Sequence, residues 1–381
     1  MLIIIAGVLK YAFQPVAITK IGFVLLMPVL FIILILGQLY TDNLTLGWTL
    51  IERSLSILLV PIALISFSKI TIKQEKVLIW TLVTSGFVAS LYCIGFQINE
   101  SIAAGSIYTK QNTTHFLFNR FMHHRLSAPL QLHAIYMSLY IAFITAFLFD
   151  LLLSAKMKVL KKTGLVVLIL FFGVVIFLLK SAIIAFSLAL VLIYILWTRL
   201  RSEKIVFKLI FYTLSLGVLL IAFYFVKSKI EFINLDYVMS DPKMGMLAIR
   251  LSIWENALNV IGSNWFFGVG TGDADLALLN EYAKSGFSIG YEKDFNCHNM
   301  YLQYWLGNGI IALVIFISYF ILLFKKAMNH KNAVFVGFLI LFACFSFTES
   351  TMRVQKGMVF FIIFSTLFYF NPSLWNNHKK Q

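Results

Sequence analysis

The sequence predicts an all-α polytopic membrane protein, a bundle of about ten or eleven transmembrane helices with one long extracytoplasmic loop that contains short helices. Three observations predict it. Of the 381 residues, 60% are hydrophobic and only 12% are charged, with 38 Phe, more apolar surface than a soluble domain could cover. Apolar runs of about 20 residues recur, each long enough to cross roughly 30 Å of hydrocarbon. Lys and Arg gather in alternate loops, the charge asymmetry of membrane topology. The alternating ten-residue segments of a β-barrel are absent. Met1 to Val8 is apolar, but no small-residue cleavage site precedes a soluble domain, so no cleavable signal peptide is read there.

The elements follow in order. Leu2 to Thr19 is apolar but interrupted by Lys10 and Pro15, a poor span or a half-buried helix. Clear spans are expected at Ile21–Tyr40, Leu50–Ser68, Val77–Phe96, Leu132–Leu153, Leu165–Leu179, Ala182–Trp197, Phe207–Val226, Tyr301–Phe324, Ala333–Phe347 and Met358–Phe370. Gln97 to Gln131 reads as a polar loop with His115, Arg120, His123, His124 and Arg125. The loops rich in Lys and Arg are 69–76, 154–162, 199–204, 325–331 and the C-terminus. With these spans they all fall on one side, which is therefore cytoplasmic. The long segment 227–300 falls on the other side. It holds six Lys/Arg and nine Asp/Glu, an acidic balance that fits an outer loop. The chain divides into a transmembrane bundle 1–226, the loop 227–300, further spans over 301–371 and a cytoplasmic tail 372–381.

The net charge of +15 follows from this topology and is not a nucleic-acid signal. The three Cys form no CxxC and no paired framework, so neither zinc nor disulfides are indicated.

The less ordinary polar residues converge on the outer side: Arg125, His133, Lys180, Arg250, His298, Glu349 and Arg353. Ionisable groups at membrane depth are costly and mark a pathway or site. Arg250 lies in a stretch with a helical pattern, and Trp254, four residues on, shares its face. A guanidinium beside an aromatic ring suits an anionic or sugar ligand, because its planar fork grips two phosphate oxygens. The bland alternative is a surface Arg on an interfacial helix. His298 precedes the span that begins at Tyr301, with Asn299 a candidate N-cap. A neutral imidazole there can take a proton from a hydroxyl nucleophile; otherwise it only marks the membrane edge. A Cys297–His298 thiol pair is set aside, since neighbours in sequence rarely orient that way.

Gly268 to Gly272 reads as a tight turn that re-aims the chain, not as a phosphate cradle, because no strand precedes it. His123 and His124 have no carboxylate or Cys near them in sequence, so no metal is expected. Glu349 and Arg353, four residues apart, are expected to pair with each other. Arg353 also lies close to Lys356, which leaves it a second role as an anion contact.

Taken in order, several segments resemble the O-antigen ligase/polymerase family of bacterial inner-membrane glycan enzymes. They are Leu39 to Asn43 with Leu50 to Pro61, Arg125 to Ser127 with His133 to Tyr136, Arg250 with Trp254, Phe267 to Gly272, His298 to Leu302 with Gly307 and Gly309, and Thr348 to Ser350 with Gln355 to Gly357. The resemblance runs from about residue 21 to 370. It implies a GT-C-like membrane glycosyltransferase that moves a glycan from undecaprenyl diphosphate to an acceptor sugar hydroxyl, with no metal, cofactor or nucleotide sugar. The acceptor is lipid A–core in the ligase branch, to which His298 to Leu302 leans, and another lipid-linked repeat unit in the polymerase branch. The implied place is the inner membrane, with the active site on the periplasmic side. His298 would activate the acceptor hydroxyl, and Arg250 and Arg125 would hold the diphosphate. Lys180, Arg353, Trp254, His133 and Asn299 complete the expected substrate contacts, under a lid formed by 227–300.

Two departures stand out. Ser181-Ala182 occupies the place of a Ser-Arg pair, and Ala134 that of a Pro. Two other classes compete with the enzyme. A flippase for lipid-linked sugars would show repeats and polar or broken helices near the midplane, and a purely structural membrane protein would not need Arg125, Arg250 and His298 on one side.

Overall fold

The computed structural model describes residues 26–65, 70–106, 120–154, 157–200 and 246–376. The expected N-terminal segment Leu2–Thr19 and the expected span Phe207–Val226 lie outside them, as does the first part of the long loop. Among the described residues the chain is all helical. In order come α1 (Leu26–Gly37), α2 (Leu44–Ile65), α3 (Ile72–Ala103), the single turn α4 (His124–Ser127), α5 (Ala134–Ser154), α6 (Val159–Leu179) and α7 (Ala182–Leu200). Then follow α8 (Met246–Asn264), α9 (Ala274–Ser285), α10 (Ser288–Lys293), α11 (Met300–Asn329), α12 (Ala333–Thr348) and α13 (Gln355–Phe370).

Six of these, α2, α3, α5, α6, α7 and α11, are long and apolar enough to cross a membrane. The expected spans at Ile21–Tyr40, Ala333–Phe347 and Met358–Phe370 fall on shorter apolar helices. At about 1.5 Å per residue, the 16 residues of α12 or α13 cover only about 24 Å. Gln97, expected to open a loop, is instead still helical: α3 runs on to Ala103.

Helix starts follow local chemistry. Thr71 and Gln74 form a capping box at α3. Asn299 caps α11, its Oδ1 accepting from the N–H groups of Tyr301 (3.0 Å) and Leu302 (3.1 Å). Asn332 caps α12 through the Phe335 N–H.

The chain forms two compact units. One contains α3 to α7, most of α12 and the segment after α13. In it α5 packs against both α6 and α7. The buried Asp150 of α5 accepts from Arg199 of α7, so that a carboxylate inside the bundle keeps a partner.

The other unit contains α1, α2, α8 to α11 and α13, and there α2 packs along α13. Over its described residues, 246–300, the long loop is a folded cap in this unit. α8, α9 and α10 close on an apolar core of Ile253, Ala257, Leu278, Tyr282 and Phe287, joined by Leu306 of α11.

The turn after α8 docks on a break in α11. Gly309 has φ 74°, ψ −176°, which interrupts the helix. The Leu306 and Gly307 carbonyls, freed by the break, accept from the N–H groups of Val269 and Gly270, each at 2.9 Å. In return the Ile310 N–H reaches the Trp265 carbonyl at 3.0 Å. Gly268 to Gly272 is therefore a tight turn, as expected, and its amides are occupied by backbone carbonyls and, at Gly272, by the Thr41 hydroxyl, not left open to a phosphate. A Cβ on Gly309 would sit 1.9 Å from the Phe266 carbonyl oxygen, and one on Gly268 2.6 Å from the backbone of Gly307 and Asn308.

Gly309→Ala is expected to lower thermal stability in detergent by about 2 kcal/mol or more, from left-handed strain plus the clash. Gly95, a helical glycine with nothing within 4 Å of its would-be Cβ, serves as the control, and Gly95→Ala should hold or raise stability. Equal melting temperatures for the two variants would contradict the docking described.

Candidate active site

The site begins with three turns that meet in the cap-bearing unit. The first is the end of α12, where helix gives way to Glu349 and Ser350. The second is the turn Asn296 to Asn299 before α11. The third is the first part of α8.

His298 has φ 41°, a left-handed conformation rare for a residue with a Cβ. Asn296 holds it there, its Oδ1 accepting from the His298 N–H at 2.9 Å. The same oxygen accepts from the Ser350 hydroxyl, also at 2.9 Å, and so ties this turn to the one after α12. Trp254 braces it from α8: the indole N–H donates to the Cys297 carbonyl at 3.1 Å, and the ring packs edge-on against Phe347.

Glu349 links the three. Its Oε1 accepts from Arg250 Nη2 at 2.8 Å, and its Oε2 lies 3.2 Å from His298 Nδ1. All three side chains are part-buried, at 21%, 17% and 29% exposure for Arg250, Glu349 and His298, so the contacts are neither fully screened nor sealed from a ligand. A carboxylate facing a guanidinium is ionised and can only accept. The proton of a neutral imidazole therefore sits on Nδ1, and Nε2 keeps its lone pair. Nε2 makes no hydrogen bond among the described residues, and Arg250 Nε is buried without a partner there. The arrangement can take a proton at Nε2 and offer guanidinium donors to an anion beside it.

The expected Glu349–Arg353 pair does not form. The i,i+4 rule needs a continuous helix, and Glu349 to Arg353 is not one: Ser350 has φ −80°, ψ 65°, a 3-10 turn covers Thr351–Arg353, and Val354 is extended. Arg353 turns to Asp275 of α9 instead, with two parallel bonds at 2.5 and 2.7 Å, the fork geometry that favours Arg. Asn299 has its carboxamide oxygen engaged in the helix cap, and Trp254 has its N–H on the Cys297 carbonyl. Both shape the His298 turn.

Arg125, His133 and Lys180 lie in the other unit. There His123, His124 and His133 meet edge-on in series, with ring centroids 3.8 Å apart at each step. The Arg125 carbonyl accepts from Gln97 Nε2 at 2.6 Å. Lys180 caps α6 with φ 52°. The pKa of His123 is lowered, by burial first and then by His124 and Lys180. Among the described residues no group of His, Cys, Asp or Glu is arranged to hold a metal ion.

Sequence reasoning missed Asn296 and Asp275, and gave Glu349 the wrong partner. The one available signal was an acid directly after an apolar helix, on the outer side expected to hold Arg125, Lys180 and Arg250.

A multi-pass helical membrane protein thus presents an imidazole, a carboxylate and a guanidinium at the mouth of a span. A family model described as O-Antigen ligase matches residues 165–317, which include Lys180, Arg250, Trp254, the glycine turn and His298. Over residues 165–317 the chain is therefore similar to the O-antigen ligase family, a match that supports a membrane glycosyltransferase of the O-antigen ligase/polymerase type. None of the curated proteins matches the chain.

Cys297 is fully buried, and its thiol pKa is pushed up to about 12, by burial above all. At neutral pH it is a protonated thiol with no nucleophilic part. The raised pKa has a sign. The stabilisation is complete below the unfolded thiol's pKa, about 8.5, and declines as pH rises toward the folded value of about 12. Cys297→Ala is expected to flatten the fall of melting temperature between pH 8.5 and 11. Parallel curves for the two proteins would show that the thiol is not held neutral by the fold.

Proposed function

We propose that the protein transfers a glycan from undecaprenyl diphosphate to a sugar hydroxyl, most simply that of lipid A–core, on the periplasmic side of a bacterial inner membrane. The observation that carries this reading is the Glu349 carboxylate held between Arg250 and His298 Nδ1.

Glu349 fixes the tautomer and plane of His298. Nε2 accepts the proton of the acceptor hydroxyl as its oxygen attacks the anomeric carbon of the donor. The bond from that carbon to the diphosphate oxygen breaks, and the diphosphate leaves with the electron pair. Arg250 meets the charge that develops on it, which is worth most where water is scarce. The unpartnered Nε and the fork of the same guanidinium suit two phosphate oxygens.

Arg125, Lys180 and His133 are proposed as substrate contacts on the resemblance of their segments and their expected side. Arg353 is proposed as a residue that holds α9 to the turn after α12 through Asp275, a role that replaces direct contact with substrate. The reaction so written needs no metal, because a histidine base and guanidinium groups supply proton transfer and charge stabilisation. A transporter reading loses support from α11, whose break at Gly309 has its freed carbonyls taken by the amides of Val269 and Gly270 and so not left to an ion or substrate.

His298→Ala and Arg250→Ala are each expected to lower transfer by about 10²–10⁴ while the protein inserts and accumulates normally. The assay is reconstitution with an undecaprenyl-diphosphate glycan and, separately, a lipid A–core acceptor or a second lipid-linked glycan, with no metal added. Product on lipid A–core defines a ligase, and a lengthened lipid-linked chain defines a polymerase. Unchanged transfer by both variants would refute the site.

A further inference from the structure

The unit formed by α3 to α7 holds a cavity of about 760 Å³ between α3, α5 and α6. Ile79, Phe147, Leu165 and Leu168 make its walls apolar. Its rim is different. Lys76 near the start of α3 and Lys161 near the start of α6 both border it and both are exposed. Neither ammonium has a carboxylate partner among the described residues. Trp80, exposed, stands at the same border, where an amphipathic ring suits a membrane–water interface, and the buried Trp375 lines the cavity behind it.

One acid lies close, Glu75. It is buried and turned to the segment after α13: its Oε1 accepts from the Trp375 N–H at 2.5 Å, and its carbonyl accepts from the indole N–H at 3.1 Å. Its charge is therefore held inside, and the two lysines set the sign at the rim. Gly164 also borders the cavity, and a Cβ there would meet nothing within 4 Å. The backbone leaves room at the entrance.

We propose that this cavity is a binding site for an anionic phospholipid, with its phosphate between Lys76 and Lys161 and part of an acyl chain against the apolar walls. The chemistry selects that ligand. A soluble anion would leave the walls uncovered, and a neutral or zwitterionic lipid would leave two cations without a counter-charge. Both lysines belong to the basic loops 69–76 and 154–162, the end of the helices where anionic headgroups are drawn to Lys and Arg. The site is distinct from that of Arg250, Glu349 and His298, and does not depend on the transfer reaction.

The test is native mass spectrometry of the full chain in neutral detergent, with phosphatidylglycerol, phosphatidylcholine of the same acyl chains, and glycerol phosphate as probes. Phosphatidylglycerol should be retained about tenfold more tightly than phosphatidylcholine, and glycerol phosphate should not compete at the same concentration. In the double variant Lys76→Gln/Lys161→Gln the preference should vanish. In Gly164→Phe, which fills the entrance, neither lipid should be retained. Because the lysines are exposed, the double variant keeps its fold and decides the matter even if Gly164→Phe does not. Equal retention of the two lipids by the wild type would overturn the proposal. So would an undiminished preference in the double variant, or displacement by glycerol phosphate.

Discussion

A single carboxylate at the end of α12 sets the geometry of the candidate active site. Glu349 accepts from Arg250 and from His298, and so joins α8, the turn before α11 and the turn after α12. None of the three groups would be comfortable alone at that depth, because a part-buried charge without a partner carries its full desolvation cost. Together they compensate one another and still leave Nε2 and one side of the guanidinium unengaged. Structural need and chemical readiness coincide in the same contacts. The second bridge, Arg353 to Asp275, holds α9 to the turn that follows Glu349, so the carboxylate is fixed from both sides of its own turn.

The cap makes this possible. A loop of this length without a core would not keep a histidine at φ 41° facing a carboxylate from another segment. The apolar cluster of α8 to α10 and the glycine turn docked on the break in α11 supply the rigidity. The break itself, costly in an uninterrupted membrane helix, is offset because each freed carbonyl finds an amide of the turn. The glycines of the sequence thus serve close backbone approach, a use that looks identical to a phosphate loop until the partners are seen.

Much of the helical bundle was legible because a membrane imposes one dominant rule on composition: apolar runs of sufficient length become helices. The boundaries came out close for α5, α7, α12 and α13, whereas α6 begins at Val159 and α11 runs on to Asn329, well past the apolar runs expected at Leu165–Leu179 and Tyr301–Phe324. The misses have physical reasons. α3 outlasts its apolar run because nothing in Gln97 to Ala103 breaks a helix and Gln97 is buried against the Arg125 carbonyl. Arg250 and His298 were legible as costly polar residues on one side of the topology. Glu349 was assigned by sequence spacing, which works within a helix and fails across the turn at Ser350. Asn296 and Asp275 gave no signal, since their importance lies in partners far away in the chain.

The central claim is that Glu349 and His298 act as one unit, and a double-mutant cycle on the transfer rate addresses it. Glu349→Gln, His298→Asn and the double variant would be compared in the same reconstituted assay, with protein quantity and thermal stability matched. If the carboxylate acts mainly by orienting the imidazole, the losses fall well short of multiplying, and the double variant is slower than the slower single variant only by what Glu349 contributes through Arg250. If the two losses multiply, Glu349 acts independently of His298, and the account of the site is wrong.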